Sequence, residues 1–234
     1  MLDNELIARL IFKILPHKPP YRLAMDRTNW KFGETNTCTV YEVRGINVLT
    51  LAIVFQGVAF PILISMLDKR GNSHTKERIA MIERYIELFD YQTIDCLLAD
   101  REFVGENWIK YLNDRKIMYH IRIRENFYVD DPRTNKQFKV FWMFSGLKCG
   151  EYRYMYRIYR IKGQLCYLSA SKVKNKDEIP EFKIIISFNK PETAQLVYKD
   201  RWQIETAFRG LKSSGFNTCT TYEVRVSKIR ILLI

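Results

Sequence analysis

The sequence predicts an α/β fold, with a β-rich stretch set into it ahead of a final helix. Three observations predict it. Apolar runs of strand length alternate with segments whose apolar residues recur every three or four positions, as in helices packed on a sheet. One run, "IDCLLADRE", is almost continuously apolar up to its acidic end, which marks a strand covered on both faces. From about 127 to 188 there is little helical spacing, and it returns only after Pro191.

Taken in order, "MLDNELIARLIFKILP" has acids before its apolar residues and no small-residue cleavage site, so it reads as an amphipathic helix stopped by Pro16 and not as a signal peptide. "YRLAMDRT" is a short strand ending at Asp26. Residues 46–67, "INVLTLAIVFQGVAFPILISML", carry no charge and are long enough to reach across a bilayer. Gln56, Gly57 and Pro61 interrupt them, and the residues are largely β-branched. Two buried strands joined at Gln56-Gly57 therefore fit better than a membrane span. "SHTKERIAMIERYIELF" carries Ile79, Ile82, Ile86 and Phe89 at helical spacing. "IDCLLADRE" is the central strand, ending at Asp100; "GENWIKYLNDR" is a helix and "MYHIRIR" a strand.

Within 127–188, "EYRYMYRIYRI" alternates, with Tyr152, Tyr154, Tyr156 and Ile158 on one face and Arg153 and Arg157 on the other. "QLCYLSAS" and "FKIIISF" are further strands. Between 151 and 190 nine Lys/Arg face four Asp/Glu, a local net charge of +5, so this is a basic β-rich insertion. Pro191 then opens the last helix, where proline is tolerated in the first turn.

A chain of 234 residues with 47% hydrophobic content supports one sizeable core with an inserted subdomain. A net charge of +12 points to a polyanionic partner, most often nucleic acid. Cysteines 38, 96, 149, 166 and 219 form no C-x-x-C pair, which suits a reducing cytosol better than a disulfide framework or a zinc site.

The segment "YKDRWQIETAFRGLK", 198–212, reads as an unusual helix. At about 100° per residue, Tyr198, Arg201, Glu205 and Lys212 fall within about 60° of one another. Val197, Ile204, Phe208 and Leu211 form an apolar face beside them, and Lys199, Gln203 and Thr206 take the far side. Asp26 and Asp100 each end a predicted central strand, where ligands gather in open α/β sheets. Singly, a strand-end aspartate is equally a turn or cap residue, and a glutamate beside arginine and lysine a solvated pair. Together, three clustered carboxylates repel one another and call for a divalent cation. Oxygen ligands alone favour Mg²⁺ or Mn²⁺ over Zn²⁺. Two such ions activate water and stabilise the leaving oxygen of a phosphodiester. Tyr198, Arg201 and Lys212 then hold phosphates beside the metals.

"DRTNWKFG", "LLADREFVGENW" and "YKDRWQIETAFRGLKSSGFN" together closely resemble the DDE transposases of bacterial insertion sequences, in the fourth insertion-sequence family with its Tyr-x2-Arg-x3-Glu-x6-Lys signature. The match falls on Tyr198, Arg201, Glu205 and Lys212, and the resemblance covers roughly residues 20–217. It implies a ribonuclease H-like catalytic core, a mixed central sheet flanked by helices, over 21–126 and 189–216. The β-rich insertion occupies 127–188, an N-terminal helix 1–20 and a C-terminal segment 217–234. It implies a transposase that cleaves and transfers strands at the element's ends, with Asp26, Asp100 and Glu205 as catalytic, metal-binding residues for two Mg²⁺ or Mn²⁺ ions. Tyr198, Arg201 and Lys212 become contacts to the DNA end, and Arg122, on "YHIRIR", a further phosphate contact. Trp142 and Trp202 are candidates to stack on a flipped base, with core packing as the competing role.

The partners so implied are element-end and target DNA and, in a full-length protein, a second copy of the chain; no membrane is involved. The location so implied is the bacterial cytoplasm, at the nucleoid. Asp26 lies close to the beginning and the signature helix close to the end, so truncation at both ends is expected, with folding but no paired-end joining. "NTCTVYEVR" (36–44) recurs as "NTCTTYEVR" (217–225), without a folding reason. A silent remnant that only binds DNA, or a stand-alone structure-specific nuclease on the same fold, are the alternative functions.

Overall fold

A computed structural model describes residues 4–32, 44–67, 69, 71–175 and 177–213. The repeated segments, Arg44 apart, and the segment 217–234 lie outside the described residues.

Helix α1 (Asn4–Ile14) precedes the long strand β1 (Tyr21–Phe32). The apolar run 46–67 is a hairpin, β2 (Arg44–Phe55) and β3 (Val58–Leu67). It turns at the expected pair: Gln56 and Gly57 have φ of 47° and 84°, the positive values that a tight type I′ turn demands. Helix α2 (Thr75–Phe89), strand β4 (Ile94–Ala99), helix α3 (Glu106–Asp114) and strand β5 (Tyr119–Ile123) follow as the pattern predicts. Among the described residues no helix is long and apolar enough to cross a membrane.

The stretch 127–188 is indeed built of strands: β6 (Tyr128–Asp130), β7 (Gln137–Lys139), β8 (Tyr152–Tyr154), β9 (Tyr159–Ile161), β10 (Gln164–Lys174) and β11 (Pro180–Ser187). "EYRYMYRIYRI" is not one strand. Its two ends, β8 and β9, both pair antiparallel with β10, and the register slips between them where the Met155 amide bonds back to Leu168. The extra residues form a bulge, which the alternation of tyrosine and arginine conceals.

Eleven strands of the described residues make one mixed sheet in the order β3-β2-β1-β4-β5-β11-β10-β9-β6-β7, with β8 on β10. β1 runs antiparallel to β2 and parallel to β4, and β4 runs parallel to β5. β11 adds antiparallel to β5, so the basic stretch continues the sheet and shares one hydrophobic cluster with it: Val129, Phe144, Leu168 and Ile186 pack together with Leu23, Leu97 and Ile121.

Strand alternation gives the sheet two different faces. Leu23, Met25, Leu97 and Ala99 point to the large cluster closed by Ile82 and Tyr85 of α2 and Trp108 and Leu112 of α3. Ala24, Ala52, Cys96 and Leu98 point the other way, to Ile204 and Phe208. The segment after β11 supplies those two residues. It begins at Pro191 as predicted, but as three pieces: α4 (Pro191–Val197), a 3-10 turn (Tyr198–Arg201) and α5 (Trp202–Ser213). Alanines on the sheet let α5 lie close.

Candidate active site

β1 does not end at Asp26. Its parallel pairing with β4 ends at Met25 opposite Ala99, while its antiparallel pairing with β2 continues past Asp26, opposite Thr50, to Phe32. Asp26 and Asp100 are thus each the first residue beyond the parallel ladder. Both follow the alternation of Ala24 and Leu98 onto the face that α5 covers. On α5, Ile204 and Phe208 are buried and set the helix's rotation, which turns Glu205 toward the aspartates. Asp26, Asp100 and Glu205 line one open cavity of about 650 Å³ together with Arg27, Glu102, Arg209 and Lys212. Positions far apart in the chain are therefore brought to one place.

Cations and a phenol hold the acids. Arg201 Nη1 lies 3.3 Å from Asp26 Oδ2, and its Nη2 donates to Glu205 Oε1. The Tyr198 hydroxyl donates to Asp100 Oδ1 at 3.4 Å. The 3-10 turn makes this possible, since residues three apart eclipse in such a turn: the Arg201 guanidinium stands 5.6 Å over the Tyr198 ring. The single helical stripe predicted for 198–212 is replaced by this stacked pair followed by α5. Burial opposes the charge of Arg201, but Tyr198, Glu205 and Asp100 outweigh it and raise its pKa. Burial likewise raises the pKa of Tyr198. Among the described residues the buried Nε of Arg201 has no hydrogen-bond partner.

Asp26 feels both influences. Burial pushes its carboxyl up to about 6, against the pull of Arg201 and of the Arg27 amide, which donates to Oδ1 at 2.7 Å; Glu205 and Glu102 push it further up. The donor set of the cavity is oxygen only, which fits Mg²⁺ or Mn²⁺. Among the described residues no group of three or more Asp, Glu, His or Cys side chains stands in metal-ligating geometry; Arg201 and Tyr198 hold the three carboxylates instead.

Lys212 lines the cavity and is exposed. Arg122 pairs in register with Ile185, whose neighbours are Ala194 and Tyr198, so it shares the face of the site; its ion pair is with Glu181, at 3.1 Å. Trp142 and Trp202 are 63% and 51% exposed, so core packing is not the role of either. Trp202 lies under the Arg209 guanidinium, 5.7 Å from its ring.

The sequence reasoning assigned nothing to Arg27 or Glu102. Arg27 Nε and Nη2 meet Glu102 Oε1 and Oε2, each at 3.2 Å. The signal was adjacency: "DRT" and "ADRE" put each of them within two residues of an aspartate.

The chain's fold is similar to that of the piggyBac transposase in the cryo-EM structure of its synaptic complex with hairpin DNA, with a TM-score of 0.53 at 12% identity. The likeness covers 98% of this chain and 47% of that one, so this chain spans about half the length of that protein. No curated protein gives a significant match. Residues 17–234 match the family described as "Transposase DDE domain", and with its acids gathered on one cavity the chain belongs to that family.

Proposed function

We propose that this chain is the catalytic region of a DDE transposase of the fourth insertion-sequence family, acting on the DNA ends of its own element. The observation that carries the proposal is the meeting of Asp26, Asp100 and Glu205 on one cavity wall. A ribonuclease H-like core is supported by the order β3-β2-β1-β4-β5, antiparallel up to β1 and parallel beyond it.

Asp26, Asp100 and Glu205 are the residues that would hold two Mg²⁺ or Mn²⁺ ions. When bound, such ions activate water and stabilise the leaving oxygen of the phosphodiester. The chain's own residues orient the DNA. Lys212, exposed on the cavity rim, meets a phosphate directly. Arg201 and Tyr198 reach phosphate by releasing the carboxylates they now hold, and Arg122 by leaving Glu181. Each exchange replaces one charged or polar partner by another, so no guanidinium is left bare. The strands of 127–188 extend this surface, and a second copy of the chain would pair two ends.

The test is Mn²⁺-dependent nicking of end-bearing DNA by wild-type protein and Glu205→Ala. Nicking should fall at least about 100-fold with DNA affinity kept within a few-fold. Unchanged nicking in Glu205→Ala overturns the assignment. DNA binding without nicking by the wild type identifies a silent remnant; nicking that requires branched or flapped DNA and ignores element ends identifies a structure-specific nuclease.

A further inference from the structure

We propose that the Arg27–Glu102 ion pair is a positioning device: it sets the spacing at which Asp26 and Asp100 meet a divalent cation. It rests on the metal-dependent function above. Backbone pairing between β1 and β4 stops at Met25 and Ala99, one residue short of both acids. Beyond that point another tie must keep two like charges from splaying apart. Arg27 follows Asp26 directly and gives its amide to the Asp26 carboxylate. Glu102 sits in the 3-10 turn that Asp100 opens, and the Phe103 amide closes that turn on the Asp100 carbonyl at 2.9 Å. The two-pronged contact between the Arg27 and Glu102 side chains therefore joins the two acid-bearing segments just past the ladder's end.

The pair is shielded and braced. The side chains are 14% and 21% exposed. Arg27 Nη1 also donates to Asn29 Oδ1 at 2.9 Å and Asn47 Oδ1 at 3.1 Å. On the other side the Glu102 carbonyl accepts from Arg78 Nη2 at 3.1 Å, and Arg78 is itself buried and bonded to Ser73. Shielded ion pairs add little net stability compared with apolar packing, while two parallel hydrogen bonds fix distance and angle. Partners that orient metal-binding side chains are commonly worth 10- to 100-fold in metal affinity.

The test compares Mn²⁺ affinity, read from the electron paramagnetic resonance of free Mn²⁺, in wild type, Glu102→Gln and Glu205→Ala. DNA affinity and melting temperature are measured alongside. Glu102→Gln should bind Mn²⁺ about 10- to 100-fold more weakly with DNA affinity within twofold, and raised Mn²⁺ should restore its nicking. Should Glu102→Gln fail to fold, Arg27→Lys, which keeps the charge and loses the fork, decides by the same measure. Mn²⁺ affinity equal to wild type overturns the proposal, whether the melting temperature falls or DNA affinity does. Mn²⁺ uptake lost in Glu205→Ala and kept in Glu102→Gln overturns the positioning role alone. No Mn²⁺ uptake by wild type overturns the metal-dependent function beneath it as well.

Discussion

The Arg201 guanidinium bridges Asp26 and Glu205, the first and last acids of the site, with 3.3 Å to the one and a direct hydrogen bond to the other. A side-chain cation thus stands where an inorganic one is expected. Removing it makes the cavity more negative. Arg201→Gln should bind Mn²⁺ more tightly than wild type in the absence of DNA, by about tenfold, or about 1.4 kcal/mol, even as nicking falls. Calorimetric titration of Mn²⁺ into both proteins checks it, and weaker binding by the variant would contradict the bridging role. In wild type, DNA that draws Arg201 away should raise Mn²⁺ affinity, and Mn²⁺ should raise DNA affinity by the same factor.

Asp26 gives the apo protein a pH dependence. Its folded-state value of about 6 lies above its ordinary 3.8, so the folded state binds the proton more tightly than the unfolded state. The carboxyl therefore opposes folding progressively as pH rises from about 4 to about 6, and fully above that. Asp26→Asn should be more stable than wild type at pH 7.5, by up to about 3 kcal/mol, with the difference vanishing below about pH 4. Denaturant melts of the two proteins at several pH values measure this. An Asn variant less stable at pH 7.5 would show that Arg201 outweighs burial.

Lys212 should act through phosphate. Lys212→Gln should weaken binding to all DNA sequences alike and flatten the log-log salt dependence by about one unit. Fluorescence anisotropy on two unrelated duplexes over a salt series provides the comparison, and a changed sequence preference at constant slope would count against the assignment.

Packing on the α5 face should control the chemistry. Ala24 and Ala52 are fully buried beneath Ile204 and Phe208. Ala52→Leu overfills that layer, at a cost of about 1–3 kcal/mol, and pushes Glu205 off the aspartates. Nicking measured well below the melting temperature should fall at least about tenfold, because small misplacements of reacting groups are costly. A variant that melts earlier yet nicks at the wild-type rate would show that α5 tolerates the shift.

Much of this site was legible because strands and helices write their faces in different periods. Near-continuous apolar runs located β4 and the β2–β3 hairpin, and Gln56-Gly57 named the turn. The acids stood out in "DRT", "ADRE" and the helix signature. Less visible was whatever depends on a neighbour. Asp26 looked like a strand end because aspartate disfavours strands, yet β2 carries β1 onward. The 3-10 turn at Tyr198–Arg201 keeps an acceptable helical pattern and betrays itself only in the stacked ring and guanidinium. Trp142 and Trp202 look like core by residue type; their exposure is set by where β-rich segment and helix face outward. The joining of β11 to β5 is a long-range pairing that no local spacing announces.

Glu205 docks on a sheet whose strands were all made before it. On the ribosome, both aspartates emerge and can pair into β1 and β4 while the glutamate is still unsynthesised, and the intervening strands must be sorted first. Assembly of such non-local contacts is slow. On the function proposed above, a nascent chain would hold DNA without cutting it, and cutting would begin only when α5 closes over Ala24 and Ala52. On that reading, the order of the acids along the chain times the completion of the cavity.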